Sequence, residues 1–508
     1  MDKAISTIVI AGAGTAGWMT AAALAKHFQN TPVKIRLVAA SDIGTIGVGE
    51  ATIPTIRSFT QSLGLDEMEM VRATRATIKL AIAFKDWNRK GTTFFHPFGG
   101  YGEDFGDVAF LHVLSRLRAE GHAPNLDDYC LGAALAKAGK FAMPAGKAPF
   151  YGAFFDWAYH LDAGLYADYL RTFAMGLGVE HIDARIEAVT LDPDNGHIHS
   201  LSLNTGTTVS GDLFIDCTGF QALLIDKALG VGYEDYGQWL FCDRAYAVQS
   251  ETTGPAPAPY TQVTARDSGW QWGIPLQHRR GNGYVYASNF TDDDTALATL
   301  TANVPGKMLF EPRQIKFRPG RRAQAWSKNC VAIGLSSGFL EPLESTSIAL
   351  IQTGIEKLKQ LFPDKSFHPA LTDEYNDMSR REFERVRDFI ILHYYASDRD
   401  DTEFWRACKT TQLPETLRHK IELYKARGHF VRYRWEMFHP QSWLAIYDGY
   451  GWHPQAYDPA TDGLKRDDMM EACKQMADFI ATTVAKAPTH QDYLDYCNRA
   501  AQPNKVSA

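Results

Sequence analysis

With 508 residues, 45% of them hydrophobic and 22% charged, the chain can bury a large core and reads as one large α/β unit with a helical appendage. A formal net charge of -7 without a basic stripe argues against a nucleic-acid partner. No apolar run approaches a membrane span, so a cytoplasmic location is expected, and the seven scattered cysteines lack the spacing of a metal site or a disulfide framework.

Thr7 to Ala11 is expected to form a buried parallel strand that runs through Gly12-Ala13-Gly14-Thr15-Ala16-Gly17 into a helix from Trp18 to Phe28. In this G-x-G-x-x-G turn Gly12 permits a tight reversal, Gly14 lets a pyrophosphate approach the backbone, and Gly17 lets helix and strand pack closely. The helix N-terminus then presents N–H groups to phosphate oxygens. Val33 to Val38 is the second strand, but the carboxylate that usually takes the ribose hydroxyls is missing at Ala39, which leaves Asp42, Ser41 or a water for that task.

Ile43 to Pro54 is a glycine-rich loop, Pro54 opens a helix through Leu63, and Gly64 stops it. Ala76 to Phe84 alternates, which predicts one strand with Ile78, Leu80, Ile82 and Phe84 on one face and Lys79 among small residues on the other. Gly91 to Gly102 is an aromatic loop of the kind that walls pockets. Tyr159 to Leu177 reads as an amphipathic helix. Asp212 to Asp216 is a strand ending in Cys217-Thr218-Gly219, a small-residue turn that favours FAD over NAD. Strand signals return at Gln262 to Leu276 and Gly283 to Phe290, then at Cys330 to Gly334. Long helical periodicity follows at Glu374 to Tyr395, Thr411 to Ala426 and Arg466 to Ala485. The expected domains are 1–366, an FAD-binding core, and 367–508, a helical region that completes the substrate site.

Three stretches make a resemblance specific: Gly269-Trp270-Gln271-Trp272-Gly273-Ile274-Pro275, Ala76-Thr77-Ile78-Lys79-Leu80, and Gly338 to Ile348 with Glu344. They resemble the W-x-W-x-I-P signature, the catalytic-lysine segment and the catalytic-glutamate loop of the flavin-dependent halogenases, within the tryptophan and indole halogenase branch. Read from residues alone, the tryptophans are equally a core pair, Lys79 an edge-strand lysine, and Glu341 a rival to Glu344.

The resemblance implies an FAD-binding Rossmann-like oxidoreductase fold with an inserted antiparallel sheet and a mainly helical C-terminal region. It implies FAD contacts from Gly12, Gly14, Thr15, Ala16 and Gly17, from Ala39, and from Gly49, Glu50 and Ala51 of the following loop. Thr218, Gly219, Gly334 and Leu343 complete that set, with Trp272, Ile274 and Pro275 walling the isoalloxazine. Thr346 and Ser347 would hold chloride or bromide at a helix N-terminus.

A flavin hydroperoxide and halide would give hypohalous acid, which crosses to Lys79 and is held there by a hydrogen bond or as a chloramine. Glu344 would polarise it or accept the ring proton. FADH2 would come from a separate NAD(P)H-dependent flavin reductase, and a homodimer is compatible with the chain. His96-Pro97-Phe98 matches the family turn whose aromatic residues sandwich an indole. The family's Tyr-Tyr-rich segment for the amino-acid group has no clear match, so free indole, attacked at C3, is expected in preference to tryptophan. A tryptophan halogenase, an aromatic flavin monooxygenase and an idle flavin-binding protein are the alternatives.

Overall fold

The computed structural model describes residues 3–41, 49–144, 146–254 and 256–499. The chain forms two compact units that interleave along the sequence. Met1–Ala76, Leu161–Asp243 and Lys316–Glu384 make the first, and Thr77–His160, Arg244–Ile315 and Arg385–Ala508 make the second.

The first unit is built on a sheet in the order Trp326–Ser327, Cys330–Ala332, Leu213–Asp216, Thr7–Ala11, Lys34–Val38, Glu180–Ile182. All neighbours are parallel except the antiparallel Trp326–Ser327 edge. Ile8, Val9, Ile10 and Ala11 are fully buried, the continuous apolar run of a strand covered on both faces. The helix after the glycine turn spans Thr15–His27 and so begins inside the motif: Gly14 is its extended N-cap, and Trp18 N donates to Gly14 O at 3.1 Å. Because the strands run parallel, Gly12, Ala39, Cys217 to Gly219 and Gly334 all follow strand ends at one edge of the sheet. This is where a parallel α/β sheet binds ligands. The helix expected over Tyr159 to Leu177 spans only Ala163–Gly176, because the Asp162 carboxylate caps it by accepting the Gly164 and Leu165 N–H groups. Tyr159 and His160 lie in a strand instead.

In the second unit Arg244–Ser250, Arg280–Tyr286, Gly269–Pro275, Tyr260–Arg266, Ala81–Lys85 and Thr93–Pro97 stand side by side. Only the Tyr260–Arg266 and Ala81–Lys85 pair is parallel. The run expected from Gln262 to Leu276 is therefore a hairpin that folds back before Gly269. The single strand expected over Ala76 to Phe84 also breaks, at Leu80: Thr77–Lys79 pairs with Ala158–Leu161 in a separate sheet, whereas Ala81–Lys85 joins the large one. Residues 77 to 81 are all fully buried, so their alternation marks no solvent face.

The three periodic segments form helices at Pro369–Tyr395, Glu415–Arg427 and Arg466–Lys486. Glu403–Thr410, Pro440–Gly449 and His490–Arg499 are further helices that periodicity did not single out. Among the described residues no helix is long and apolar enough to cross a membrane. The cysteines are buried thiols outside any disulfide.

Candidate active site

At the strand-end edge of the first unit the three motif glycines occupy different spaces. A Cβ on Gly12, whose φ is +105°, would lie 2.3 Å from Cys217 O, and one on Gly17 would lie 1.9 Å from Gly12 O. Those two glycines let backbones touch. At Gly14 a Cβ would meet no protein atom within 4 Å, and no side chain caps the helix that starts there. A helix N-terminus beside open space is the cradle a pyrophosphate needs, so the residues present fit FAD.

Behind the cradle, buried Asp216 organises the turn that sequence reasoning read only as small residues. Its carboxylate accepts Thr218 N and Oγ1 at 2.9 and 2.6 Å, and Leu224 N and Ile225 N at 2.8 and 2.9 Å. Gly219 and Gly334 both have φ in the left-handed region, +67° and +82°. Ala39 bears no acid, but one follows the end of the neighbouring strand: Asp183 Oδ1 accepts Ser41 N at 2.8 Å. Those hydrogen bonds hold the Asp183 carboxyl below its ordinary range. Asp42 and residues 43–48 lie outside the described residues. Gly49, Glu50 and Ala51 are described, and burial pushes the Glu50 carboxyl up to about 7 although part of its surface meets solvent.

Gly14→Val is expected to fold like the wild type and to bind FAD at least about tenfold more weakly, a loss of roughly 1.4 kcal/mol. Equilibrium titration of the apoprotein with FAD measures this, and unchanged affinity would refute the cradle.

The Gly338 to Ile348 loop belongs to the same unit. Glu344 is 1% exposed. It and Ser345 have φ of 69° and 60°, two successive non-glycine residues in the left-handed region. Each such residue costs on the order of 1–3 kcal/mol and persists only where the surroundings enforce it, most often at functional sites. Glu341 is equally buried but lacks this strain, which favours Glu344. Leu343 is buried beside it. Thr346 caps the Ser347–Gln360 helix, whose first turn has neither a side-chain cap nor an acidic residue and so suits an anion. Gln352 of that helix accepts Thr55 Oγ1 at 2.8 Å and buries an Nε2 with no protein acceptor, a donor that the motif did not reveal.

In the second unit Lys79 is fully buried, its Nζ 5.1 Å from the centre of the Phe98 ring. Residues far away in sequence hold its strand. Ile78 N donates to His490 Nε2 at 3.0 Å, and His490 Nδ1 lies 2.9 Å from Pro257 O. Thr77 Oγ1 donates to Pro275 O at 2.7 Å and lies 2.9 Å from His160 Nδ1. With its one proton committed to Pro275, Thr77 can only accept from His160, so Nδ1 carries the hydrogen. Burial, and then the charge of Lys79, push His160 well below its ordinary pKa, so it is neutral and its Nε2 accepts Thr261 Oγ1 at 2.9 Å. This chain ties the lysine strand to the end of the W-x-W-x-I-P strand.

Along that strand Trp270 and Trp272 lie 6.1 Å apart on one face. Trp272 has its room because residue 283 is glycine, where a Cβ would come within 2.0 Å of the indole. Trp272 Nε1 is buried without a protein partner. His96 stands in the Thr93–Pro97 strand, not in the loop expected over Gly91 to Gly102, and packs 5.8 Å from Phe389 and 6.4 Å from Phe98. Phe389 stacks on Phe438 at 4.0 Å. The structure thus gathers Lys79, His96, Phe98, Trp272, Ile274 and Pro275 in one unit, and the glycine cradle, Leu343, Glu344, Thr346 and Ser347 in the other.

A family model described as tryptophan halogenase matches residues 7–466. The chain is similar to the solved structure of BrvH, a flavin-dependent halogenase from Brevundimonas sp. BAL3, at 56% identity, with 98% of this chain and 100% of that chain covered and a TM-score of 0.95. Tryptophan 6-halogenase SttH of Streptomyces toxytricini is 37% identical over 96% of this chain and 97% of its own length. Tryptophan 7-halogenase RebH of Lentzea aerocolonigenes is 39% identical over 84% of this chain and 83% of its own.

Proposed function

We propose, from the premise that this chain belongs to the tryptophan halogenase family of flavin-dependent halogenases, that it halogenates the indole ring of tryptophan through Lys79 and Glu344. The enzyme is a halogenating oxidoreductase that uses reduced FAD and halide, and enzymes of this family draw on a separate flavin reductase and a small aromatic substrate. Reduced FAD, when bound, would supply the electrons that bring O2 to the peroxide level, the oxidant that takes two electrons from halide to give hypohalous acid.

The chain's own residues then do the rest. Gly14 and the N-terminus of its helix hold the pyrophosphate, Thr218, Gly219 and Gly334 lie at the same sheet edge, and Thr346 and Ser347 hold the halide. Trp270 and Trp272 exclude water and substrate from the oxidising centre. Lys79 Nζ holds the hypohalous acid and directs its halogen. As the carbon–halogen bond forms, the halogen–oxygen bond breaks, the departing hydroxide takes a proton from the Lys79 ammonium and leaves as water, and the ring proton passes to the Glu344 carboxylate. The observation that carries this reading is the full burial of Lys79 against Phe98, because an ammonium held out of water on an aromatic wall is kept there for chemistry.

Tryptophan is favoured because the curated relatives SttH and RebH are named for it. Free indole is the second reading. It rests on the helical region, where buried Lys420 and Glu436 lie 2.7 Å apart and neutralise each other rather than an amino-acid zwitterion. Equal concentrations of tryptophan and indole, supplied with the enzyme, a flavin reductase, NADH and bromide or chloride, separate the two by chromatography and mass spectrometry. Predominant halotryptophan substituted on the benzene ring is expected. Predominant 3-haloindole would establish the second reading, and hydroxylated product alone would overturn both.

A further inference from the structure

Arg385 lies one turn before Phe389 on the Pro369–Tyr395 helix and is 8% exposed. Its Nε and Nη1 are buried without a hydrogen-bond partner. The Asp388 carboxylate stands 3.9 Å from Nη1 but is committed elsewhere: Oδ1 accepts Arg387 Nε and Nη2 at 3.0 and 2.7 Å, and Oδ2 accepts Thr416 Oγ1 at 2.5 Å. The Tyr433 ring covers the guanidinium at 4.6 Å, which fills a face and leaves the edge donors unmet.

The next cation, Lys420, belongs to Glu436 at 2.7 Å, with its Nζ 4.4 Å from the Trp443 ring. Burial holds the Lys420 ammonium below its ordinary range, and the charge of Arg385 adds to that. Asp388 is thus taken by Arg387 and Thr416, and Glu436 by Lys420, which leaves Arg385 Nε and Nη1 as the unmet charged donors of this group. Trp443 Nε1 is a further buried donor without an acceptor. Leaving buried charged donors unmatched is costly, and a guanidinium edge with two free N–H groups matches the two oxygens of a carboxylate.

Arg385 adjoins the aromatic wall. Residues at i and i+4 share a helix face about 6 Å apart along the axis, so Arg385 sits above Phe389. That ring lies 4.9 Å from Trp443 and 5.8 Å from His96. One turn is the reach of a short side chain on C3 of an indole. Glu436 is already paired with Lys420 at 2.7 Å and accepts Tyr433 N at 3.0 Å through Oε2, so a substrate ammonium placed beside Arg385 would meet a like charge first.

We propose that Arg385 is a specificity-determining anchor for a substrate carboxylate, so that the enzyme prefers indoles carrying an acid side chain over bare indole and over indole amines. This deepens the halogenase reading and rests on it. Isothermal titration calorimetry on the purified full chain, without turnover, compares indole, indole-3-propionate and tryptamine. The propionate is expected to bind at least about tenfold more tightly than indole, and tryptamine more weakly than indole.

In Arg385→Met the ratio of indole to propionate dissociation constants should fall to near one, and Arg385→Lys should restore part of it. Equal affinity for propionate and indole in the wild type, as expected if ordered water alone satisfies the arginine, overturns the proposal. So does a ratio that survives in a folded Arg385→Met protein. If that variant does not fold, the wild-type comparison of acid with amine decides alone. A protein that binds the acid but halogenates no indole would refute the halogenase reading and leave the anchor standing, whereas one that halogenates indoles without favouring acids would refute only the anchor.

Discussion

Lys79→Ala is expected to abolish regioselective halogenation, on the order of 10³-fold or more, in a protein that still folds, binds FAD and forms hypohalous acid. The size follows from what replaces the ammonium. Lys79 is fully buried on a three-residue strand, and alanine there supplies neither a donor to hold the oxidant nor an amine to carry the halogen. Folding should survive because the strand is held by bonds that do not involve the lysine side chain: Ile78 N to His490, and Thr77 Oγ1 to Pro275 O. Lys79→Met is the control, since it keeps the apolar stem and removes only the charge. Hypohalous acid released to solvent is read with a chlorination-sensitive dye, and ring product by chromatography. Substantial product at a single ring position from folded Lys79→Ala would remove the lysine from the mechanism.

The parts of the molecule that were legible in the sequence are those with local physics. Thr7–Ala11 stands where its apolar run predicts, and Gly64 ends its helix in the left-handed conformation that glycine adopts freely. The alternation from Ala76 to Phe84 misled because both faces are buried, so the pattern carried no sign that the chain leaves one sheet for another at Leu80. The hydrogen-bond chain behind Lys79 joins positions 77, 160, 261 and 275, a pairing that no local pattern encodes. Arg385 was hidden for a different reason: in Arg380-Arg381-Glu382-Phe383-Glu384-Arg385 it reads as one more charge on a solvated helix face, and only its buried, unmet donors separate it from its neighbours. The choice between Glu341 and Glu344 was likewise open in the sequence, since no glycine or asparagine advertises the positive φ found at Glu344.

Glu344→Gln should lower turnover by about a hundredfold, the loss expected for one general acid–base or electrostatic contact. Glutamine keeps the volume and one acceptor oxygen in the strained loop, so the substitution tests the negative charge and the proton rather than the packing. The strain works in favour of a clean result: it resides in the backbone φ of Glu344 and Ser345, which a change from carboxylate to amide does not touch. Substrate affinity should move less than turnover, since a group that stabilises the cationic ring or accepts its proton acts mainly in the transition state. A solvent and substrate isotope experiment sharpens the assignment. If Glu344 accepts the ring proton, deuterium at the reacting carbon should slow the variant more than the wild type, because proton loss then becomes the limiting step. An unchanged rate in Glu344→Gln, together with a hundredfold loss in Glu341→Gln, would transfer the role to Glu341 and leave the strain at Glu344 as a structural feature of the loop.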